Sequence, residues 1–379
     1  MKKIGLFAGI FLSLLLICSL TVGAVDEVII GVFEPMTGPM AGGGQMSNEG
    51  KYLALEQTPT VLDRPIKMVL VDNKSEKVEA ANAVARLIEY EKAVIIVGSS
   101  MSSLAIPGSE VANKAGIPIM GTTATNPLVT LGKPYSFRVC FIDPFQGAVM
   151  ANFAVNNLKA KTAVIIQDIA SDFSVGLSNY FRQAFIKLTG DPKSVLGVIS
   201  YQTGDQDFTA QVTYAAAKKS DVVFIPAGAY GDGALIVKQG KEMGITGIFL
   251  GADTSEVPEF LEIGGKALEG YYYSTHFDAA AITTPAAVKF VKDFEEKYGK
   301  APSSYAAMGF DAISLAIDAI KRAGSTDPKA IRDALAVTKD YEGVTGMITL
   351  DENGDAIKDA IIKTIENGKF KYIATVHPF

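Results

Sequence analysis

The stretch that decides the fold runs from Ile95 to Pro127 and reads IIVGSSMSSLAIPGSEVANKAGIPIMGTTATNP. It begins as a buried strand, turns through the serine-rich segment Ser99–Ser103 and continues as a helix over residues 104–114. A second short strand follows and ends at the threonine-rich segment Thr122–Thr125. Because neighbouring parallel strands end at the same edge of a sheet, the two hydroxyl-rich segments should meet there. Helix N-termini offer unpaired N–H donors and a partial positive charge, so the pattern predicts a small anionic or zwitterionic ligand.

The rest of the chain repeats this alternation of apolar runs with segments of helical period. Most of the runs are continuously apolar, which is typical of strands buried on both faces of a parallel sheet. The segments between them carry apolar stripes at helical spacing. The alternation predicts α/β architecture with parallel sheets. The predicted strands are Val28–Phe33, Ile66–Val71, Val94–Val97, Ala163–Gln167, Val195–Ser200, Val222–Ile225, Gly247–Leu250 and Gly270–Ser274.

Two segments interrupt this rhythm and predict passages from one lobe to another. Residues 134–144 contain an extended run that ends at Asp143-Pro144, and residues 274–278 precede a helix predicted over residues 285–298. A chain that leaves one lobe, builds a second, returns and crosses again forms two doubly wound parallel-sheet lobes joined by three hinge crossovers. We place a first lobe at residues 25–142 plus 276–357 and a second lobe at residues 143–275 plus 358–379.

The C-terminal region switches to hairpin signals. Its predicted strands are Val344–Leu350, Ile361–Glu366 and Phe370–Val376. Turn residues separate them, first Asp351–Gly354 and then Asn367-Gly368. We therefore expect these segments to pair as antiparallel strands.

The first 24 residues have the pattern of a secretory signal peptide. Two lysines precede an apolar run, which ends before the small-residue exit Val22-Gly23-Ala24. The run has about 15 residues and is short for a membrane span of about 20. We expect export to a periplasmic or other extracytoplasmic location. Cys18 lies near a lipid-attachment position, but the bulky isoleucine before it makes lipid attachment the less favoured outcome.

Composition excludes several classes of function. Without the first 24 residues, 355 of 379 residues remain, with 33 basic and 41 acidic side chains and a net charge of −8. An acidic chain without basic clusters argues against nucleic-acid binding. One cysteine remains, Cys140, which allows no internal disulfide and should be a buried small hydrophobe.

Catalysis and cofactor binding are also disfavoured. The chain has two histidines, His276 and His377. This small number argues against a histidine-based triad and also against a multi-histidine metal site. The run Gly42–Gly44 follows a predicted strand, but the spacing Gly42-x-Gly44-x-x-Ser47 lacks the third glycine of a dinucleotide fingerprint. We therefore expect a non-catalytic protein with no metal and no cofactor.

Short motifs, spread in one order over nearly the whole chain after residue 24, identify a relationship. The motifs are Met36-Thr37-Gly38-Pro39, Val71-Asp72-Asn73, Gly98–Ser103, Gly121–Pro127, Phe137-Arg138, Asp207-Phe208-Thr209 and Gly251-Ala252-Asp253. Together they resemble the substrate-binding proteins of branched-chain amino acid ABC transporters, the leucine/isoleucine/valine-binding group of type I periplasmic binding proteins.

The resemblance implies a ligand site between the lobes. Ser102 would face the α-carboxylate of an amino acid, with Thr123, Thr125 and the backbone around Ala124 completing that clamp. From the second lobe, Tyr230 would contact the ligand and Asp253 would pair with its ammonium. Phe173 and His276 are further candidates to line the cleft, Phe173 at a position where many relatives have tyrosine.

The resemblance also implies partners and leaves alternatives. It implies an apolar, branched-chain or similar amino acid as ligand, an ABC transporter permease as partner and a monomeric chain. The Gly42–Gly44 run stands where relatives carry an aromatic ring that faces the ligand, so we expect a larger pocket or a closer approach of the backbone to the ligand. A small aromatic or aliphatic carboxylate, or an amide, is the alternative ligand. A ligand-sensing regulatory module and a secreted hydrolase are the alternative functions.

Overall fold

The computed structural model describes residues 26–282 and 284–378. The predicted signal peptide, residues 1–24, and Cys18 lie outside them. The strands are β1 Val28–Glu34, β2 Thr60–Val61, β3 Arg64–Asp72, β4 Ile95–Gly98, β5 Ile119–Gly121, β6 Ser136–Arg138, β7 Ala163–Asp168, β8 Val195–Tyr201, β9 Val222–Phe224, β10 Ile248–Gly251, β11 Tyr272–Thr275, β12 Tyr341–Gly343, β13 Gly346–Leu350, β14 Ala356–Ile357, β15 Ala360–Glu366 and β16 Lys369–Val376.

Helices connect most of these strands and follow the apolar stripes seen in the sequence. Several begin at a side-chain cap, as α10 does at Ser303, whose hydroxyl accepts the amide of Ala306. The helices are α1 Ala41–Gln57, α2 Lys77–Glu89, α3 Ser102–Ala115, α4 Asp143–Asn152, α5 Asp172–Thr189, α6 Thr209–Lys218, α7 Tyr230–Glu242, α8 Pro258–Gly264, α9 Pro285–Tyr298, α10 Ser304–Ala323 and α11 Pro328–Ala336.

Two mainly parallel sheets form the centres of two lobes. The first has the order β2-β3-β1-β4-β5-β6, parallel from β3 to β6. The second has the order β16-β15-β11-β10-β9-β7-β8, parallel from β11 to β8. Their strands β1, β4, β7 and β9 are almost wholly buried, as predicted from their apolar runs. The predicted α/β fold class is confirmed.

The chain passes between the two lobes three times. It leaves the first sheet after Arg138 and leaves the second sheet after Thr275 for helices that pack on the first sheet. It then re-enters the second sheet between Ile357 and Ala360. Two of these passages fall in the segments that interrupt the strand–helix rhythm of the sequence. The residue limits of the lobes given above stay a prediction.

The prediction for the C-terminal region is only partly right. Strands β15 and β16 form the expected hairpin, but the turn at Asp351–Gly354 leads into the two-residue strand β14. Strands β12, β13 and β14 make a small sheet of their own, and β15 pairs antiparallel with β11 in the second lobe. The third crossover therefore separates β12–β14 from β15 and β16, although the turn residues between them predicted one continuous set of antiparallel strands.

Helices α1 and α10 pack at unusually short distance in the first lobe. A Cβ atom at Gly50 would lie 1.8 Å from the backbone oxygen of Ala306, and one at Gly309 would lie 2.1 Å from that of Ser47. Backbone atoms cannot rotate away as side chains do, so these two glycines set the separation of the helices. The described residues contain no helix whose length and hydropathy together suit it to span a bilayer.

We expect Gly50→Ala to lower the free energy of unfolding by about 1–3 kcal/mol, because the added methyl group forces α1 away from α10. Thermal unfolding followed by circular dichroism measures the change. Gly231→Ala is the matched control, since a Cβ there meets only the side chain of Ile263 at 3.7 Å. Equal melting temperatures for the two variants would contradict the close-packing account.

Candidate functional site

A narrow cavity lies between the lobes, next to residues that follow the carboxyl ends of parallel strands. Ligands of open α/β sheets bind at this edge. Among the lining residues Asp253 is the one ionisable side chain. The first lobe contributes Met40, Ser100, Met101, Ser102, Ser103 and Thr123. The second lobe contributes Ser171, Phe173, Gly228, Asp253 and Thr254.

The first-lobe wall is built on the N-terminus of α3. Met101 occupies the N-cap position, and no side chain caps the first turn. The Ser102 hydroxyl accepts the backbone amide of Asn126 at 3.1 Å, and the Thr123 hydroxyl donates to the backbone oxygen of Ser100 at 2.8 Å. These bonds join the two hydroxyl-rich segments, as the sequence predicts. An uncapped helix start with hydroxyls around it suits a ligand carboxylate.

The second-lobe wall presents the carboxylate of Asp253, which is 5% exposed. Its Oδ1 accepts the side-chain amide of Gln146 at 2.8 Å, and its Oδ2 lies 3.3 Å from Nε2 of His276. Gln146 also donates to the Ser274 hydroxyl at 3.0 Å. Within the described chain no lysine or arginine pairs with Asp253. A buried carboxylate held mainly by neutral donors suits a positively charged ligand group.

A second acid, Asp143, lies close to this one. It is fully buried at the start of α4, and its backbone amide donates to the oxygen of Thr125 at 2.9 Å. Burial, with a further contribution from the negative charge of Asp253, raises the pKa of Asp143 to about 8. Asp143 is therefore mostly protonated at neutral pH.

Four of the eight predicted site residues line the cavity and four lie behind or beside it. Ser102, Thr123, Phe173 and Asp253 line it, whereas Ala124, Thr125, Tyr230 and His276 do not. The oxygen of buried Ala124 accepts from the guanidinium of Arg138 at 2.7 Å, so it supports the clamp from the core. His276 packs against the ring of Phe141, tilted by 36° with centroids 4.1 Å apart, and its Nε2 contacts Asp253 on the cavity wall.

The glycine run Gly42–Gly44 is approached closely by aromatic rings from elsewhere in the chain. A Cβ atom at Gly43 would lie 2.9 Å from the ring of Tyr305, and one at Gly42 would lie 3.4 Å from the ring of Tyr230. These rings fill the space beside the two glycines, and the expected larger pocket or closer approach of the backbone to the ligand stays a prediction. Tyr305 is buried and packs toward Met101 on the cavity wall, a role that the sequence does not indicate.

Three contacts to Asp172 close the cavity along one side. The Asp172 backbone amide donates to the Ser103 hydroxyl at 2.9 Å, and the Asn126 side-chain amide donates to the Asp172 backbone oxygen at 2.8 Å. The Lys77 ammonium pairs with the Asp172 carboxylate at 2.7 Å. Ser103 therefore connects the two lobes in this structure.

Gln146, Ser103 and Tyr305 are absent from the residues predicted from the sequence. Gln146 follows Asp143-Pro144 at a predicted crossover, so the sequence indicates that it lies near the cleft. The sequence does not indicate that its side chain bonds to Asp253. No group of three or more His, Cys, Asp or Glu side chains in the described ranges is arranged to hold a metal ion.

We expect Asp143→Asn to stabilise the ligand-free protein most at high pH. The folded-state pKa, about 8, exceeds the ordinary value of 3.8 in the unfolded chain. Stability from this acid is therefore complete below pH 4 and is lost as pH rises toward 8. Asparagine resembles the protonated acid and does not titrate. The melting temperature of the variant should exceed that of the wild type by several degrees at pH 8, at about 2–4 °C for each kcal/mol.

The control for this pH series is Asp333→Asn. Hydrogen bonds from Lys329 and Arg332 lower the pKa of exposed Asp333, so its charge is constant between pH 5 and pH 8. Melting temperatures at pH 5, 6.5 and 8 show whether the ionisation of Asp143 changes over this range. Parallel curves for wild type and Asp143→Asn would show that Asp143 is ionised throughout.

Comparison with known proteins places the chain. A family model described as periplasmic binding protein matches residues 27–369. The chain is 43% identical to a leucine-binding protein, LivK, from Thermotoga maritima, with a TM-score of 0.90 over 93% of this chain and 99% of that one. LivJ from Streptococcus pneumoniae, solved with isoleucine, is 30% identical with a TM-score of 0.86, covering 93% and 100%. An amino acid binding protein from Pseudomonas aeruginosa is 31% identical over 345 residues, 89% of this chain and 90% of that one.

The family model covers more than half of the chain, and the relatives match it over nearly their full lengths. The resemblance read from the motifs is therefore confirmed, and the chain belongs to the periplasmic binding protein family.

Proposed function

We propose that this protein captures an amino acid with a branched or other apolar side chain in the interlobe cavity and delivers it to the permease of an ABC transporter. The LivK and LivJ relatives, named for leucine binding and for branched-chain amino acid transport, support the ligand class. Export by the N-terminal segment to an extracytoplasmic location, action as a monomer and the absence of catalysis are parts of the same proposal.

The observation that carries the proposal is the single acid of the cavity. Asp253 supplies one buried negative charge in the second lobe, and the uncapped start of α3 at Ser102 supplies a partial positive charge in the first lobe. A zwitterion bound between them satisfies both walls at once. Since an unpaired buried charge costs several kcal/mol, the ammonium and the carboxylate of the ligand are both needed.

The remaining walls favour an aliphatic side chain. Met40, Met101 and Phe173 are buried and give the cavity its apolar surface. Methionine adapts its shape to the group packed against it, which suits a set of similar aliphatic side chains better than one rigid shape. A micromolar dissociation constant needs about −8.2 kcal/mol, within reach of two satisfied charges and an apolar contact.

Lobe closure would couple ligand capture to transport. Both walls touch the ligand only when the lobes are together, so the ligand selects the closed form. The permease would then recognise a surface formed by both lobes. Contacts such as that of Asp172 with Asn126, neither of which lines the cavity, contribute to the closed form.

The alternative ligand, a small carboxylate or amide without an ammonium, fits this cavity less well. A carboxylate bound at α3 would leave Asp253 without a cation. A ligand-sensing module that regulates a separate partner would use the same cavity. A thermal-shift screen of amino acids against small carboxylates separates the ligand classes, because ligands of the native state raise the melting temperature.

We expect Asp253→Asn to weaken leucine binding at least about tenfold, since truncating one partner of a buried charge pair costs about 2–5 kcal/mol. Isothermal titration calorimetry of the protein without its first 24 residues measures the change. The control is Asp333→Asn, which removes an exposed acid on α11 and should leave the affinity unchanged. Unaltered leucine affinity, or tighter binding of benzoate than of leucine by the wild type, would favour the carboxylate alternative.

We expect Ser103→Ala to weaken every ligand by the same factor, about two- to tenfold, because a hydrogen bond across the cleft contributes about 0.5–1.5 kcal/mol. The ratio of leucine to isoleucine affinity should stay constant. Ser109→Ala removes another buried hydroxyl of α3, bonded within its own helix to the oxygen of Ile106, and serves as the control. A changed leucine-to-isoleucine ratio would instead indicate direct contact of Ser103 with the ligand.

A further inference from the structure

A buried ion pair lies directly beneath the hydroxyl-rich segment that starts α3. Glu34 ends β1 and Lys51 lies on α1, and both side chains are completely buried. The Lys51 ammonium is 2.5 Å from Oε1 of Glu34 and 2.9 Å from the Ser47 hydroxyl. Neither residue lines the cavity, and neither belongs to the set predicted from the sequence.

Glu34 connects the ion pair to both hydroxyl-rich segments. Its Oε2 accepts the Ser100 backbone amide at 2.8 Å and the Ser100 hydroxyl at 2.9 Å, and the Ser99 hydroxyl lies 3.4 Å away. Ser100 in turn accepts the Thr123 hydroxyl at its backbone oxygen, and its own hydroxyl is 3.4 Å from that of Thr122. One carboxylate thus fixes the two segments that form the first-lobe wall.

This arrangement places a negative charge behind the position where the ligand carboxylate would bind. Ser100 lines the cavity on one side and bonds to Glu34 on the other. Like charges in a buried region repel strongly, because water does not screen them there. Lys51 cancels the charge of Glu34, and burial makes the two groups depend on each other: burial lowers the pKa of Lys51, whereas Glu34 raises it.

We propose that Lys51 and Glu34 are positioning residues for ligand binding: Glu34 holds both hydroxyl-rich segments in place, and Lys51 neutralises Glu34 so that a carboxylate can bind above it. The proposal rests on the proposed function, and it adds the requirement that the charge of Glu34 beneath the ligand carboxylate be neutralised. Other ionisable groups near Glu34 are Tyr305 on α10 and Asp72, its register neighbour on β3. The Asp72 carboxylate is bonded to Met36, Thr37 and Lys74.

The test compares Lys51→Met, Glu34→Gln and the double variant in leucine titrations at pH 7.5 and pH 5.5. Lys51→Met should bind leucine at least about tenfold more weakly than the wild type at pH 7.5. Its deficit should shrink at least about threefold at pH 5.5, because the unpaired buried carboxyl of Glu34 then takes up a proton. The double variant should bind within about threefold of the wild type at both pH values, since neutral partners replace a buried ion pair at little cost.

Controls and opposite outcomes separate this proposal from the proposed function. Lys329→Met removes an exposed lysine of α11 and should bind leucine like the wild type. A wild type that binds no amino acid overturns the proposed function, whatever the variants do. A wild type that binds leucine, with Lys51→Met equally tight or with a double variant as weak as Lys51→Met, overturns the role of the pair.

The role of the ion pair can still be tested if one variant does not fold. If circular dichroism shows Lys51→Met unfolded, Glu34→Gln is compared with the double variant. The comparison is made at pH 5.5, because burial without Glu34 favours loss of the Lys51 proton at higher pH. The unpaired ammonium of Lys51 should then make Glu34→Gln bind leucine more tightly than the double variant does. Equal or weaker binding by Glu34→Gln would overturn the electrostatic role.

Discussion

The carboxylate of Asp253, buried between two lobes without a lysine or arginine beside it, is the constraint on which the binding site depends. Gln146 and His276 hold it in place, yet no lysine or arginine among the described residues pairs with its charge. Closing the lobes on an empty cavity isolates that charge from water, which costs free energy. A ligand ammonium removes the cost. The equilibrium between open and closed forms is therefore tied to the chemistry of the ligand.

Several other buried charges have partners of opposite sign, and some of them lie at the crossovers. Arg138, before the first crossover, pairs with Asp355 at 2.6 Å. Lys363 on β15 pairs with Glu256 at 2.6 Å and with Asp278, after the second crossover, at 2.7 Å. In these pairs, each buried charge is balanced by an opposite charge of the protein itself. Asp253 differs from them because its compensation must come from outside.

Strands buried on both faces were predictable because their apolar runs need no knowledge of what packs against them. The eight predicted strands correspond to β1, β3, β4 and β7–β11, and the helix predicted over residues 285–298 is α9. The C-terminal prediction was less accurate for a physical reason. Turn residues show where a chain reverses, but not which sheet edge the next strand joins. Strand β15 pairs with β11, residues distant in sequence, after the short strand β14 ends the small sheet.

In the candidate site, too, some residues were predictable from local sequence and others were not. Ser102, Thr123, Phe173 and Asp253 come shortly after strand ends, and local sequence is enough to bring such residues to the cleft. The groups that support them act across long separations: Gln146 and Asp253 are 107 positions apart, and Ser103 and Asp172 are 69. The first contact depends on how distant segments of the second lobe pack, and the second depends on how the two lobes meet, and no local pattern records either. A motif can therefore place the groups that would touch the ligand, whereas the partners that determine their charge and orientation become visible only in three dimensions.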